Sequence, residues 1–219
     1  MIIFLILAAA VLPTAYFVLG QAKFGKVPSG KRLERILKSP HYKNGKFNNL
    51  NPTPQLAEDT SMPEIMFRFL FGKTPDKRPA QEFHFQKTDL KKLDPSQNAY
   101  VWMGHSSYFM QIDGKKILVD PVLSGYASPF SFTGKAFRGT DLYKPEDIPE
   151  LDYLIITHDH WDHLDYKTVL KLFPKTKKII TGLGTAEHLE YWGYNPKNIV
   201  ELDWFESSDL GEGFKVTAE

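Results

Sequence analysis

In the stretch LIITHDHWDHLD, residues 154–165, three of the chain's seven histidines and three aspartates occupy eight consecutive positions directly behind an apolar run. His158, His160, Asp162 and His163 form the pattern H-x-H-x-D-H. In extended chain leaving a strand, residues two apart point the same way, so His158 and His160 can converge on one ion. Asp162 and His163 lie past a bend, where a loop can turn them toward a second ion. Imidazole nitrogen with carboxylate oxygen suits Zn²⁺, and such a site also accepts Fe or Mn. The competing account is a solvated polar loop. It leaves three imidazoles desolvated or unpaired behind a buried strand.

Composition narrows the chemistry further. The 219 residues contain no cysteine, which removes disulfides, thiolate-held zinc, iron–sulfur clusters and a thiol nucleophile together. Any metal must be held by His, Asp and Glu. Net charge is +1, from 27 Lys+Arg against 26 Asp+Glu, so nothing global points to nucleic acid. No G-x-S-x-G elbow is present, which weakens a Ser-His-Asp hydrolase. The length suits one sizeable domain.

The elements that must position these residues follow from texture. AYVWMGH, YFMQIDGKKILVD and DYLIIT read as strands, with Asp113-Gly114 as a hairpin turn. After Asp165, which reads as a helix N-cap, YKTVLKLF has helical spacing and stops before Pro174. KKII is a strand, GTAEHLEYWG a helix closed by Gly193, and NIVEL and GFKVTAE further strands. Strands first, then strands alternating with helices, imply an α+β or αβ fold with helices on the outer face of a sheet. On this reading His188 is a helix-surface histidine.

The N-terminal third differs. MIIFLILAAAVLPTAYFVLG has no charged side chain, and about 20 apolar residues suffice to span a bilayer as a helix. Residues 1–22 are expected to be a retained membrane anchor, a cleaved signal being the alternative. Between Lys23 and Lys46 eight basic residues face one acid, Glu34, which favours the cytoplasmic side and a patch near anionic headgroups. If the leader is cleaved, the protein is exported instead. Residues 23–94 read as a basic linker and extension, with 39–63 rich in Pro, Asn, Lys and Ser. Within it PEIMFRFLFGK could touch lipid or an acyl chain, or pack against the core.

Four stretches together, VWMGHSSYFMQIDGKKILVDPVLS, ASPFSFTGKAFRG, IITHDHWDHLD and IVELDWFES, resemble the metallo-β-lactamase superfamily. They are most similar to its branch containing N-acylphosphatidylethanolamine-hydrolysing phospholipase D. The similarity covers roughly residues 95–219. It implies an αβ/βα sandwich with a one- or two-metal hydrolytic site over that span. His158 and His160 are implied as ligands of the first metal, Asp162 and His163 as ligands of the second, with Zn²⁺ twice per complete domain. Asp120, ending KKILVD, is implied to sit beneath the metals and fix an imidazole tautomer. A plain loop-start Asp before Pro121 is the other reading. His105, in GHSS, falls at a position near the site in this branch, and an ordinary hydrogen-bonded strand-end histidine would look the same.

The resemblance also implies a further histidine, a bridging aspartate and a last histidine downstream, whereas His188 is the one histidine after His163. The expectation is therefore the first half of a longer sandwich, cut in mid-strand. The implied activity is hydrolysis of a phospholipid phosphodiester through hydroxide formed on two zinc ions, with Asp162 as the catalytic residue orienting it. Lactones and other esters are the alternative substrates. A membrane-tethered, inactive half-domain is the competing class. Partners implied are a membrane and a phospholipid or small ester, with no nucleic acid. Oligomeric state is left open.

Overall fold

The computed structural model describes residues 2–54, 56–72 and 78–219, with side chains from residue 11 onward. Helix α1 spans Ile2–Leu19 and contains Pro13. The expected anchor over residues 1–22 falls partly on 1–10, whose side chains lie outside the described ones. Among the described residues no helix is long and apolar enough to cross a membrane. Helix α2 follows at Gly30–Lys38, then a two-stranded hairpin of β1 (Tyr42–Lys43) and β2 (Lys46–Phe47), and helix α3 at Met62–Phe71.

The central sheet has six strands in sequence order: β3 (Ala99–Gly104), β4 (Ser107–Ile112), β5 (Lys115–Val119), β6 (Leu151–Ile156), β7 (Thr176–Gly182) and β8 (Ile199–Leu202). The first three are antiparallel, and β5 through β8 are parallel. Asp113 and Gly114 both take positive φ and close the β4–β5 hairpin with Ile112 opposite Lys115. That is the geometry expected of a two-residue Asp-Gly turn. Helix α4 (Tyr166–Leu172) crosses from β6 to β7, and α5 (Ala186–Tyr191) from β7 to β8. A last antiparallel pair, β9 (Ser207–Gly211) and β10 (Phe214–Thr217), stands apart from the main sheet's pairing.

Both faces of the sheet are covered, which is why its parallel strands are apolar without alternation. On one face Phe109, Leu118, Leu154, Ile156 and Ile179 meet Val169 and Leu172 of α4 and Leu189 of α5. On the other, Ile117, Val119, Tyr153 and Ile180 meet Leu210, Phe214 and Val216 of the β9–β10 pair. The expected mixed α/β architecture, with helices layered on a sheet, is the one observed.

The segment read as a basic linker is tied down. Arg32 of α2 donates from Nε to Glu201 at 2.8 Å, and its two terminal nitrogens engage Glu187 and Glu190. Arg35 donates to the Glu201 carbonyl at 3.1 Å and pairs with Glu206. Lys26 pairs with Glu187 at 3.1 Å. The acids lie some 155 or more positions downstream, so a local charge count reads these cations as free. His188 is accordingly not on the helix surface. Its Nδ1 accepts the Lys26 backbone N–H at 3.0 Å, beneath Gly25. Gly25 has φ +70°, and a Cβ there would fall 1.9 Å from that nitrogen. Helix α3, by contrast, does not pack against the core: each of its ten residues except Glu64 is exposed.

Candidate metal centre

Three chain reversals meet at one edge of the sheet. Because β4 runs antiparallel to β5, the β3–β4 turn carrying His105 lies beside the carboxyl ends of β5 and β6. Asp120 follows β5 there, and Thr157 follows β6. Ligand sites of parallel sheets form just outside such strand ends.

The loop leaving β6 folds back at once. The His163 and Leu164 N–H groups both donate to the His160 carbonyl, at 3.0 and 2.7 Å, which returns Asp162 and His163 over the sheet edge. Asp165 then ends the loop as the expected N-cap. Its Oδ1 accepts the Lys167 N–H at 3.1 Å, while Oδ2 accepts the Ser124 N–H and the Thr168 hydroxyl.

Asp120 is buried and saturated with bonds. Oδ1 accepts the Thr157 N–H at 2.8 Å, and Oδ2 accepts the Thr157 hydroxyl at 2.7 Å and faces His163 Nδ1 at 2.8 Å. A carboxylate only accepts, so the bond to His163 places the proton on Nδ1 and leaves the Nε2 lone pair for an ion. Thr157 spends its hydroxyl proton on Asp120, so its oxygen accepts from His158 Nδ1, 3.0 Å away. One carboxylate thereby orders two imidazoles, one directly and one through Thr157.

The donor atoms of His105, Asp162 and His163 all lie within 4.8 Å of one another. His105 Nε2 is 2.8 Å and His163 Nε2 is 3.7 Å from Asp162 Oδ2. His158 lies beside them, its ring tilted against that of His163 with centroids 3.8 Å apart and edge-on to that of His160 at 4.6 Å. All four residues of the H-x-H-x-D-H pattern are thus gathered, but His158 and His160 stand outside the tight trio and His105 stands inside it. Sequence reading gave His105 a neighbouring role and passed over Thr157. The signal for Thr157 was its place between the apolar strand and the first histidine.

His105 and Asp120 have φ of 45° and 43°, the left-handed region that costs a non-glycine residue about 1–3 kcal/mol. Each is held there by bonds. The Trp102 indole donates to the His105 carbonyl at 2.8 Å, and Ser107 donates to the Asp120 carbonyl at 2.7 Å. Gly104, at φ +104°, precedes His105, where a Cβ would meet the Thr140 carbonyl at 2.9 Å.

The electrostatics favour cation binding. Burial pushes the Asp162 carboxyl up, but its hydrogen bond with His105 and the neighbouring imidazoles bring it below the usual carboxylate value. Burial, then the His163 and His160 rings, push His158 below the usual imidazole value and toward the neutral form a metal requires. Neutral imidazoles with one carboxylate, held by a buried acceptor, fit Zn²⁺, Fe or Mn. Beside Thr157, His158 and Asp159 opens a cavity of about 490 Å³, walled on its far side by Val27, Leu33 and Ile36.

A mixed sheet carrying imidazoles and a carboxylate at the ends of its parallel strands defines a metal-site α/β domain. Residues 115–219 match the beta-lactamase superfamily domain. An uncharacterized protein of Mycobacterium tuberculosis is 33% identical over 175 residues, covering 80% of this chain and 47% of the relative. N-acyl-phosphatidylethanolamine-hydrolyzing phospholipase D 1 of Caenorhabditis elegans is 36% identical over 122 residues, covering 52% of this chain and 34% of the relative. Among solved structures, CmlA, a diiron beta-hydroxylase from Streptomyces venezuelae, matches with a TM-score of 0.39 and 27% identity over 54% of this chain and 23% of that one. The chain spans about half the length of the curated relatives it first matches.

Proposed function

We propose that the protein is a metal-dependent hydrolase that cleaves a phosphodiester of the N-acylphosphatidylethanolamine type. The observation that carries this reading is the Asp120–Thr157–His158/His163 network behind the His105–Asp162–His163 trio. Such an arrangement prepares imidazoles as ligands, and the worm phospholipase supplies the substrate class by similarity. His158, His160, Asp162 and His163, with His105, would hold the ions, zinc first among the candidates. When bound, they would acidify a water toward neutral pH and absorb charge developing on the phosphoryl oxygens.

This chain's own residues supply order and charge. Asp120 and Thr157 accept from Nδ1 of His163 and of His158 and so turn Nε2 of each ring away from them. Asp162, ionised at neutral pH and held by a direct 2.8 Å hydrogen bond to His105 Nε2, would accept from the attacking water and align it toward phosphorus. The apolar wall of Val27, Leu33 and Ile36 would hold an acyl chain next to His158.

The test is metal content by mass spectrometry, with turnover of a chromogenic phosphodiester, an N-acylphosphatidylethanolamine and a lactone by the gene product. About two metals per chain with phosphodiester cleavage, both lost in His158→Ala/His160→Ala, are expected. A metal-free protein, or lactone cleavage alone, would overturn the proposal.

A further inference from the structure

Helix α3 carries Met62, Ile65, Met66, Phe67, Phe69, Leu70 and Phe71 into solvent. Phe69 is 76% and Phe71 69% exposed. Ser61 caps the helix by accepting the Glu64 N–H at 3.4 Å, so a formed helix, rather than loose chain, presents these side chains. Its two charges lie one turn apart and cancel, Glu64 pairing with Arg68 at 2.7 Å. The polar side is therefore a single narrow, neutralised stripe, and aromatic and aliphatic groups cover the rest.

The surroundings are aromatic and cationic. Ile65, Arg68 and Phe69 share a cleft with Arg78, Lys135 and Phe137. Phe132, 74% exposed, stacks on Phe130 in the same loop, and Lys23 lies 4.8 Å over the Phe130 ring. Among the described residues no carboxylate pairs with Arg78, Lys135 or Lys23. The one acid on the helix is already spent on Arg68.

We propose that α3 and the 130–137 loop form an interfacial docking surface for an anionic lipid bilayer, with α3 lying in the plane of the headgroups. The Glu64–Arg68 stripe faces water, the phenylalanines enter the acyl boundary, and Arg78 and Lys135 meet lipid phosphates. An apolar helix with aromatic anchors and an unpaired basic rim is the pattern that such surfaces use. A protein partner of matching apolar character would not call for the unpaired cations. The surface also lies near the candidate centre, since Phe24 joins Phe130 to Trp161, the neighbour of Asp162, through edge-on contacts at 6.4 and 5.4 Å. A bilayer seated on it would bring headgroups toward that edge. The inference does not depend on the phosphodiester reading and stands if that fails.

Because the chain has no cysteine, a single label reports on α3 alone. Leu70→Cys carrying an environment-sensitive nitrobenzoxadiazole dye is mixed with vesicles of phosphatidylcholine and phosphatidylglycerol at about 7:3. A blue shift and shielding from an aqueous quencher are expected, whereas Lys197→Cys, on the exposed turn before β8, stays unshifted. Phe67→Glu/Phe69→Glu/Phe71→Glu should lower vesicle binding by more than about tenfold with an unchanged circular-dichroism melt, because these side chains support no core. Pure phosphatidylcholine should bind less. An unshifted Leu70 label would overturn the proposal, whether or not the protein floats with the vesicles. So would a label already shielded without lipid in a concentration-dependent way, which would mean a second copy covers α3.

Discussion

Replacing Arg32 by alanine tests how the N-terminal segment is held. The guanidinium side chain is 15% exposed and serves three glutamates, of which Glu187 and Glu201 are about as enclosed. Removing one member of a largely buried ionic cluster costs about 3–5 kcal/mol, because the partners remain desolvated. Two of the three acids keep other donors: Lys26 on Glu187, and the Gly184 and Ala186 N–H groups on Glu201 at 2.8 and 3.1 Å. The loss should therefore fall at the lower end, about 3 kcal/mol. For a domain near this size that lowers the melting midpoint by roughly 6–12 °C. The pH dependence gives a second check. Burial pushes Glu187 up, but Lys26 and Arg32 outweigh it and hold the carboxyl below the usual glutamate value, while Arg32 is raised above its own. A depressed acid contributes stability above its unfolded pKa and loses it as pH falls through the folded one. The gap between native and Arg32→Ala should thus be full at pH 7 and shrink below about pH 4.3. Calorimetry across that range reads both. A loss under about 1 kcal/mol at pH 7, or a gap indifferent to pH, would refute the clamp.

Thr157→Val keeps the shape of the side chain and removes the hydroxyl that joins His158 to Asp120. Zinc affinity measured by chelator competition should drop about 10–100-fold with little change in melting. Gly25→Ala forces a Cβ into His188 at a residue with φ +70° and should free the 22–26 segment, seen as faster hydrogen exchange at Lys26 and altered Trp192 fluorescence. Leu154→Ala, at a fully buried position in the middle of the sheet, should cost about 2–5 kcal/mol in urea unfolding. A smaller loss there would mean that the sheet is not the core.

Much of the fold and part of the centre were legible because their signals are local. The β4–β5 hairpin lies in the dipeptide Asp113-Gly114, and the H-x-H-x-D-H loop is one contiguous stretch behind an apolar strand. The Asp165 cap needed only its neighbours. What was missed is non-local in each case. Of the eight cations between Lys23 and Lys46, Lys26, Arg32 and Arg35 look unpaired until α5, β8 and the turn after it bring Glu187, Glu190, Glu201 and Glu206 alongside them. His188 looks like a surface residue until the Gly25–Lys26 backbone closes over it. For helix α3 the sequence left two readings open, contact with lipid or packing on the core, because composition says what a helix prefers, not whether a partner is within reach.

His105 shows why spacing alone could not complete the centre. It lies 53 or more positions before the histidine loop, and only the antiparallel return of β4 against β5 carries the β3–β4 turn to the same sheet edge. Reaching that edge is not enough, since an ordinary extended φ would aim the side chain elsewhere. The left-handed backbone at His105 and at Asp120 sets their direction, and Gly104 with the Trp102 and Ser107 hydrogen bonds maintains it. Two residues held at a conformational cost, both pointing at the same imidazole–carboxylate cluster, are hard to account for by packing alone. Relaxing either should leave the sheet folded and the donor atoms misaligned. Other non-glycine residues take positive φ in turns, Asp113 and Glu212 among them, but His105 and Asp120 are the two that direct side chains into the centre.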